Sequence, residues 1–142
     1  MATDPPADRL SIPADLERLV DAREWTRGHA ELSGFEGHAL TEIELAVTEA
    51  VSNVIRHGLR LDPDQVVTLE ATGDAGSLEI VVTDRGPAFD PRTNPEPDLS
   101  EPRAGGYGTY LIRTVMDEVR WQHRNGKNRL TLVRRNGAEA QR

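Results

Sequence analysis

The chain has 142 residues, enough for one domain and too few for two full catalytic domains. It carries 24 acidic and 17 basic residues, a formal net charge of −7, and a field of that sign disfavours a general nucleic-acid-binding role. The complete lack of cysteine excludes disulfides, thiolate zinc sites, iron–sulfur clusters and a cysteine nucleophile.

Residues 1–8 are polar and Pro-rich, so we predict a disordered N-terminus. This segment lacks the pattern of a signal peptide, and no later stretch reaches the ~18 apolar residues of a membrane span. We therefore expect a cytoplasmic protein that binds no membrane. Arg9–Ile12 is predicted to be a short edge strand, ended by Pro13. A helix is predicted from Ala14 to a stop at Gly34, with a stripe formed by Leu16, Leu19, Val20, Arg23 and Trp25.

A second, stronger helical pattern runs from Glu36 to His57, and Gly58 provides a C-terminal stop. Its apolar residues follow the i, i+3, i+4, i+7 spacing of a buried helix face: Leu40, Ile43, Val47, Ala50, Val51, Val54 and Ile55. The periodicity then changes to that of strands. Val66–Ala71 and Leu78–Thr83 are β-branched runs joined by the sequence GDAG, which predicts a hairpin.

Residues 85–106 differ from their surroundings because they hold five prolines and few apolar residues. A loop of this length inside one domain is typical of a functional lid or a disordered segment. We place a lid at about 87–105.

The last predicted elements are a helix at Thr109–Asp117 and two strands, Val119–His123 and Leu130–Val133, joined at Asn125-Gly126. Residues 136–142 are predicted to form a frayed tail. The order of elements predicts an α+β two-layer sandwich, in which helices cover one face of a mixed, mostly antiparallel sheet.

Three polar residues form a stripe on the second helix. Glu49, Asn53 and His57 are each four residues apart, so they lie in line beside the buried face. This trio suits phosphoryl transfer, because a carboxylate can accept a hydroxyl proton and an amide oxygen can bind Mg²⁺. Taken alone, however, such a stripe is more often just the solvated side of a surface helix.

Two further clusters contain glycine. Asp84 and Gly86 follow a predicted buried strand, where the acid could accept from an adenine amine, although an Asp-x-Gly turn is the commoner meaning. Gly105–Thr109 precedes a helix, and glycines there leave backbone N–H groups free to bind an anion. The pattern matches neither a dinucleotide fingerprint nor a P-loop.

The order and spacing of these clusters resemble the Bergerat-fold (GHKL-type) ATPases, which include DNA gyrases and histidine kinases. The short isolated domain is similar to the bacterial anti-sigma-factor serine/threonine kinases. The resemblance covers roughly Leu10 to Arg134 and rests on three segments, ELAVTEAVSNVIRHG, VVTDRGPAFDP and GGYGTYLIRTVMDEV. It implies the histidine-kinase-like ATPase fold, with an ATP-binding domain at 9–135.

The resemblance also implies a role for each site residue. Glu49 would be the general base, Asn53 the Mg²⁺ ligand near the phosphates, and His57 a neighbour of the triphosphate. Asp84 would bind the adenine amine, and Gly86 would leave space for the ring.

The glycine-rich segment would hold the phosphates through Gly106, Gly108 and the neighbouring amides of Gly105, Tyr107 and Thr109. We add Arg103, in the lid, as a candidate charge partner for the phosphates. Many relatives carry a threonine near the adenine-binding aspartate. Here Asn128 or Lys127 stands at that place and Thr131 comes two or three residues later, so the identity of this contact stays open.

The implied function is that of an ATP- and Mg²⁺-dependent serine/threonine protein kinase acting as an anti-sigma factor. It would phosphorylate a Ser or Thr of an anti-anti-sigma (STAS-type) protein, bind a sigma factor and form a homodimer. The alternative is a non-catalytic, nucleotide-gated module that sequesters a sigma factor or another regulator. A plain structural domain is the least favoured interpretation. His29 and His38 are predicted to be surface residues.

Overall fold

The computed structural model of the protein describes residues 7–90 and 107–135, with side chains in the second range described from residue 110 onward. Five strands form one sheet in the order β1-β2-β3-β5-β4. The strands are β1 (Arg9–Pro13), β2 (Val66–Asp74), β3 (Ser77–Asp84), β4 (Glu118–Arg124) and β5 (Lys127–Arg135). The helices are a 3₁₀ turn (Leu16–Arg18), α1 (Leu19–Leu32), α2 (Gly37–Asn53), a π-helical turn (Val54–Gly58) and α3 (Tyr107–Val115).

The helices and one face of the sheet share a single apolar core, so the predicted α+β class is confirmed. All four strand pairings of the described sheet are antiparallel, whereas the sequence predicted a mixed, mostly antiparallel sheet. Both predicted hairpins are present. At the second, Asn125 and Gly126 have φ values of 57° and 74°, the left-handed pair that a tight two-residue hairpin turn requires.

The buried face of α1 differs from the predicted stripe. Of that stripe, Trp25 is buried and Leu16 and Leu19 pack partly buried against the core, whereas Val20 is 41% exposed. The other buried residues of α1 are Ala22, Thr26, His29 and Ala30. The prediction that His29 lies on the surface is therefore wrong. The cause is a distant contact: Trp25 Nε1 donates to the Ala7 carbonyl at 2.7 Å, and His29 Nε2 lies 2.9 Å from the same oxygen.

Helix α2 lies at the centre of the core, and its predicted apolar positions are all buried. Its α geometry ends at Asn53, and the predicted last turn is a π-helix in which Leu59 N donates to the Val54 carbonyl at 2.7 Å. A π turn rotates the side chains that follow it and is frequent at functional sites. In the described ranges, no helix combines the length and apolar character needed to cross a bilayer.

Residues 1–6 and 136–142, and residues 91–105 of the predicted lid, lie outside the described residues. The described end of the N-terminal segment contacts the fold, since the Asp8 carbonyl accepts from Ala71 N at 2.8 Å. The domain boundaries at 9 and 135 stay predictions.

Candidate functional site

Asp84 is a buried carboxylate at the end of β3, only 4% exposed. Its Oδ1 accepts hydrogen bonds from Gly86 N at 2.8 Å and from Asn128 Nδ2 at 3.1 Å. Burial raises the pKa of Asp84, and these two hydrogen bonds and the nearby His123 offset part of the rise. A buried acid tuned by specific partners is a recurrent feature of binding sites.

Gly86 lies where the loop after β3 packs against the π-helical turn. A Cβ at Gly86 would lie 2.7 Å from Leu59 Cδ2, 3.0 Å from Asp84 Oδ1 and 3.2 Å from the Gly58 carbonyl oxygen. The loop and the turn approach each other so closely that a side chain larger than glycine would have to displace its neighbours. That Gly86 also leaves room for an adenine ring stays a prediction.

We expect Gly86→Ala to lower the free energy of unfolding by about 1–3 kcal/mol, because the added methyl group overpacks this contact. Urea denaturation measures the change. Gly58→Ala is the matched control, since its Cβ would lie 3.7 Å from the Phe89 ring, an ordinary contact. Equal stability of Gly86→Ala and wild type would show that the loop yields without cost.

The polar stripe of α2 leads to this loop. Glu49 and Asn53 are half-buried, and His57, on the π-helical turn, is exposed. The His57 and Phe89 ring centroids are 6.2 Å apart. The structure therefore brings His57, the C-terminal end of the stripe, to the loop after β3. Asn53 lies one turn and Glu49 two turns before it, toward the N-terminus of the helix.

Asn53 has an unsatisfied amide. Its Nδ2 is buried and has no hydrogen-bond partner among the described residues. Leaving such a donor unpaired costs about 1–3 kcal/mol, so the position favours a ligand or water that completes it. This unpaired polar group fits a site for a polar ligand and sets the stripe apart from an ordinary solvated helix face.

The predicted phosphate-binding residues are only partly within the described ranges. Arg103, Gly105 and Gly106 lie outside them. Tyr107, Gly108 and Thr109 form the first turn of α3, which packs against α2. The first turn of a helix has free backbone N–H groups that can bind an anion. The phosphate-binding roles of all six residues stay predictions.

Asn128 is the residue whose role the sequence left open. It is 3% exposed, and its amide contacts both Asp84 and the loop after β3. Lys127 is exposed in the β4–β5 hairpin, and Thr131 lies three positions along β5. In the sequence, the only sign of this role is that Asn128 is an amide at a buried position of a strand. Which residue the amide contacts depends on which strand lies beside β5.

Comparison with known proteins identifies what the chain is similar to. The sequence profile described as histidine kinase-like ATPase domain matches residues 12–134. The serine-protein kinase RsbW of Listeria monocytogenes is 31% identical over 125 residues, covering 82% of this chain and 80% of the relative. The Bacillus subtilis serine-protein kinase RsbW is 30% identical over 126 residues, covering 82% and 78%.

A solved structure shows the same fold. The crystal structure of the RsbU and RsbW domains of a Mycobacterium tuberculosis protein matches with a TM-score of 0.58 and 22% identity. The match covers 92% of this chain and 33% of that longer chain. At this identity the likeness concerns the fold alone.

Proposed function

Because this chain belongs to the family of histidine kinase-like ATPases, we propose that it is an ATP- and Mg²⁺-dependent serine/threonine protein kinase. The similarity to proteins named serine-protein kinases supports this proposal. The protein acts as an anti-sigma factor in a partner-switching pathway. It binds a sigma factor and phosphorylates a Ser or Thr of an anti-anti-sigma protein of the STAS type.

One observation carries the proposal: a buried side-chain amide, whose nitrogen has no hydrogen-bond partner among the described residues, lies one helical turn from a half-buried carboxylate. Asn53 and Glu49 are these groups, and both belong to the stripe that ends at the loop after β3. An amide oxygen is a hard neutral ligand suited to Mg²⁺, which usually keeps waters and substrate phosphates as its other ligands. Mg²⁺, when bound, neutralises charge on the phosphates.

The adenine end of the site is Asp84. Its Oδ1 is held by two donors, and its Oδ2 accepts no hydrogen bond from the described residues. We infer that Oδ2 accepts a hydrogen bond from the adenine amine, with Gly86 allowing the ring to approach. His57 lies near the triphosphate.

The phosphates bind at the start of α3. Backbone amides of Gly105, Gly106, Tyr107, Gly108 and Thr109 surround them in this proposal, as the helix N-terminus favours anions. Arg103 is the proposed charge partner.

Glu49 acts as the general base. Its carboxylate takes the proton of the target hydroxyl while the hydroxyl oxygen forms a bond to the γ-phosphorus. The bond from that phosphorus to the oxygen bridging to the β-phosphate breaks, and ADP leaves with the electron pair. The chain supplies position and electrostatic stabilisation rather than covalent chemistry.

A transfer assay tests the function. The protein is incubated with γ-labelled ATP, Mg²⁺ and a candidate STAS-type protein, and the products are mapped by mass spectrometry. We expect label on a Ser or Thr of the STAS-type protein. Nucleotide binding without transfer to any candidate would favour the non-catalytic module.

We expect Asn53→Ala to weaken Mg²⁺-ATP binding by about tenfold, the effect of losing one interaction with a charged group. The difference between ATP affinities with Mg²⁺ and with chelator should disappear, as isothermal calorimetry can measure. Thermal stability should not fall, because the substitution removes a buried unsatisfied donor.

Ser52→Ala is the control for Asn53→Ala. Ser52 is the preceding residue of α2, and its Oγ accepts from Arg56 Nε at 3.2 Å. This variant should keep the Mg²⁺ dependence of wild type. A wild-type Mg²⁺ dependence in Asn53→Ala would remove Asn53 from the metal site.

A further inference from the structure

Asn128 is at the centre of a row of side chains that crosses three strands at the site end of the sheet. On β5, it is the Cα partner of Asp84 on β3 and of His123 on β4. Both Asn128 and Asp84 are almost fully buried. The row places an amide directly beside the carboxylate proposed to bind adenine.

The surrounding groups fix which end of the Asn128 amide is oxygen. The Phe89 backbone N–H can only donate, so the atom 3.0 Å from it must be Oδ1. Nδ2 faces acceptors alone: Asp84 Oδ1 at 3.1 Å, the Gly86 carbonyl at 3.2 Å and the Pro87 carbonyl at 2.7 Å. A flipped amide would lose all of these hydrogen bonds. The orientation is therefore determined by the network.

The two carboxylate oxygens of Asp84 have different hydrogen-bond partners. Oδ1 receives both the Gly86 N–H and the Asn128 amide. The described residues donate no hydrogen bond to Oδ2. The same Asn128 amide also binds backbone atoms of Gly86, Pro87 and Phe89, so one side chain fixes both the carboxylate and the loop beside it.

We propose that Asn128 is a positioning residue for purine selection, which holds Asp84 so that its ionised Oδ2 is presented to a 6-amino purine. A carboxylate accepts from the amino group of adenine and repels the carbonyl oxygen of a 6-oxo purine. The inference rests on the proposed function, since it concerns the same nucleotide site. It assigns to Asn128 the place that the sequence left open.

The protonation state of Asp84 links the network to selectivity. Burial raises the pKa of Asp84, while the hydrogen bonds from Gly86 and Asn128 lower it. Removing the Asn128 amide therefore raises this pKa further. ATP binding needs the carboxylate ionised, so it is present above the pKa and lost as pH falls through it. In a variant without the amide, the loss starts at a higher pH.

Two imidazoles also lie near this loop. His123 Nδ1 lies 3.2 Å from Asn128 Oδ1, which can only accept, so Nδ1 carries a proton. His57 is next to Phe89. The pH series therefore includes His123→Gln and His57→Gln, each combined with the Asn128 substitution, to separate the carboxylate from the imidazoles.

The test is Asn128→Leu, which keeps the branched shape of the side chain at Cγ and removes the amide. Dissociation constants of ATP and of ITP, whose purine has a 6-oxo group, are measured with Mg²⁺ from mildly acidic to neutral pH. We expect wild type to prefer ATP by about tenfold or more, as hydrogen bonds to charged groups allow. In the variant the ATP/ITP ratio should approach one and the acid loss of ATP binding should move to higher pH.

Gln122→Leu is the matched control, because it removes an exposed amide from the neighbouring strand β4. It should keep the wild-type ratio and pH profile. If Asn128→Leu does not fold, as judged by near-UV circular dichroism, Asn128→Thr replaces it. This variant retains one donor, and it should show the same changes at smaller size.

Three outcomes separate the inference from the proposed function. A folded Asn128→Leu with wild-type nucleotide ratio and pH profile overturns the inference and leaves the kinase proposal intact. A wild type that binds ATP and ITP equally overturns the adenine assignment and the inference together. A wild type that binds neither nucleotide overturns the proposed function. In that case carboxyl ¹³C NMR measures the pKa of Asp84 in wild type and in Asn128→Leu. An unchanged Asp84 pKa in Asn128→Leu then overturns the inference as well.

Discussion

Replacing Glu49 with Gln is expected to lower the rate of phosphoryl transfer by about 10²- to 10⁴-fold, the usual contribution of a general base. The amide keeps the shape of the side chain but cannot take the hydroxyl proton. ATP affinity should stay near that of wild type, since the proposed adenine and metal contacts come from other residues. Single-turnover transfer to the STAS-type substrate and calorimetric ATP titration measure the two effects separately.

Glu42→Gln is the control for this substitution. Glu42 lies two turns earlier on α2, where its Oε1 is 3.5 Å from Arg134 Nη2, and Arg134 also donates to the Val115 carbonyl at 2.6 Å. This ion pair joins α2 to β5 and serves packing. Its loss should leave transfer unchanged. Transfer at the wild-type rate in Glu49→Gln would exclude Glu49 as the base.

Replacing Asp84 with Asn is expected to weaken ATP binding by about 10- to 100-fold. The donors Gly86 N–H and Asn128 Nδ2 both point at the Oδ1 position, so the single carbonyl oxygen of the new amide must take that place. Its NH₂ group then faces the adenine amine, donor against donor. ITP, which offers an acceptor instead, should bind the variant better than it binds wild type.

Thermal unfolding controls for damage to the fold in Asp84→Asn. Burial raises the pKa of Asp84, so at a given pH the carboxyl group binds a proton more readily in the native state than in the unfolded state. The stability associated with that proton is present at low pH and is lost as pH rises through the native pKa. The amide of the variant is uncharged, so near neutral pH its burial does not require a charged group to leave water. The variant should therefore remain folded. An unchanged ATP affinity would show that Asp84 does not bind adenine.

The central helix α2 could be predicted because the spacing of its apolar residues alone indicates which face is buried. The apolar positions of α2, such as Ile43 and Val47, recur with the helical period, and both are fully buried. The π-helical turn could not be predicted in this way. Its final residue, Gly58, packs against Gly86 and Phe89 of a distant loop, and that contact has no local signature.

The error in α1 has a similar origin. Local periodicity placed Val20 and Arg23 on the buried face together with Trp25. Val20 and Arg23 are exposed, and His29 is buried beside Trp25 instead, where both side chains contact the Ala7 carbonyl. Such a bond joins residues far apart in sequence. Hydrophobic spacing therefore predicted the helix but not its orientation.

The candidate site shows the same division between local and long-range information. The alignment of Glu49 and Asn53 depends only on their four-residue spacing within one helix, so the sequence predicts it. The role of Asn128 depends on the strand order, which places β5 beside β3 and β4 at the edge. The sequence predicted the β4–β5 hairpin but not this order, so the pairing of Asn128 with Asp84 emerged only from the structure.

A crystal structure with Mg²⁺ and a non-hydrolysable ATP analogue tests the central claim most directly. We expect the adenine amine within hydrogen-bond distance of Asp84 Oδ2, Mg²⁺ on Asn53 Oδ1 and the Glu49 carboxylate beside the γ-phosphate. A nucleotide bound elsewhere, or one bound beside Asp84 with Glu49 and Asn53 facing away from its phosphates, would contradict the account.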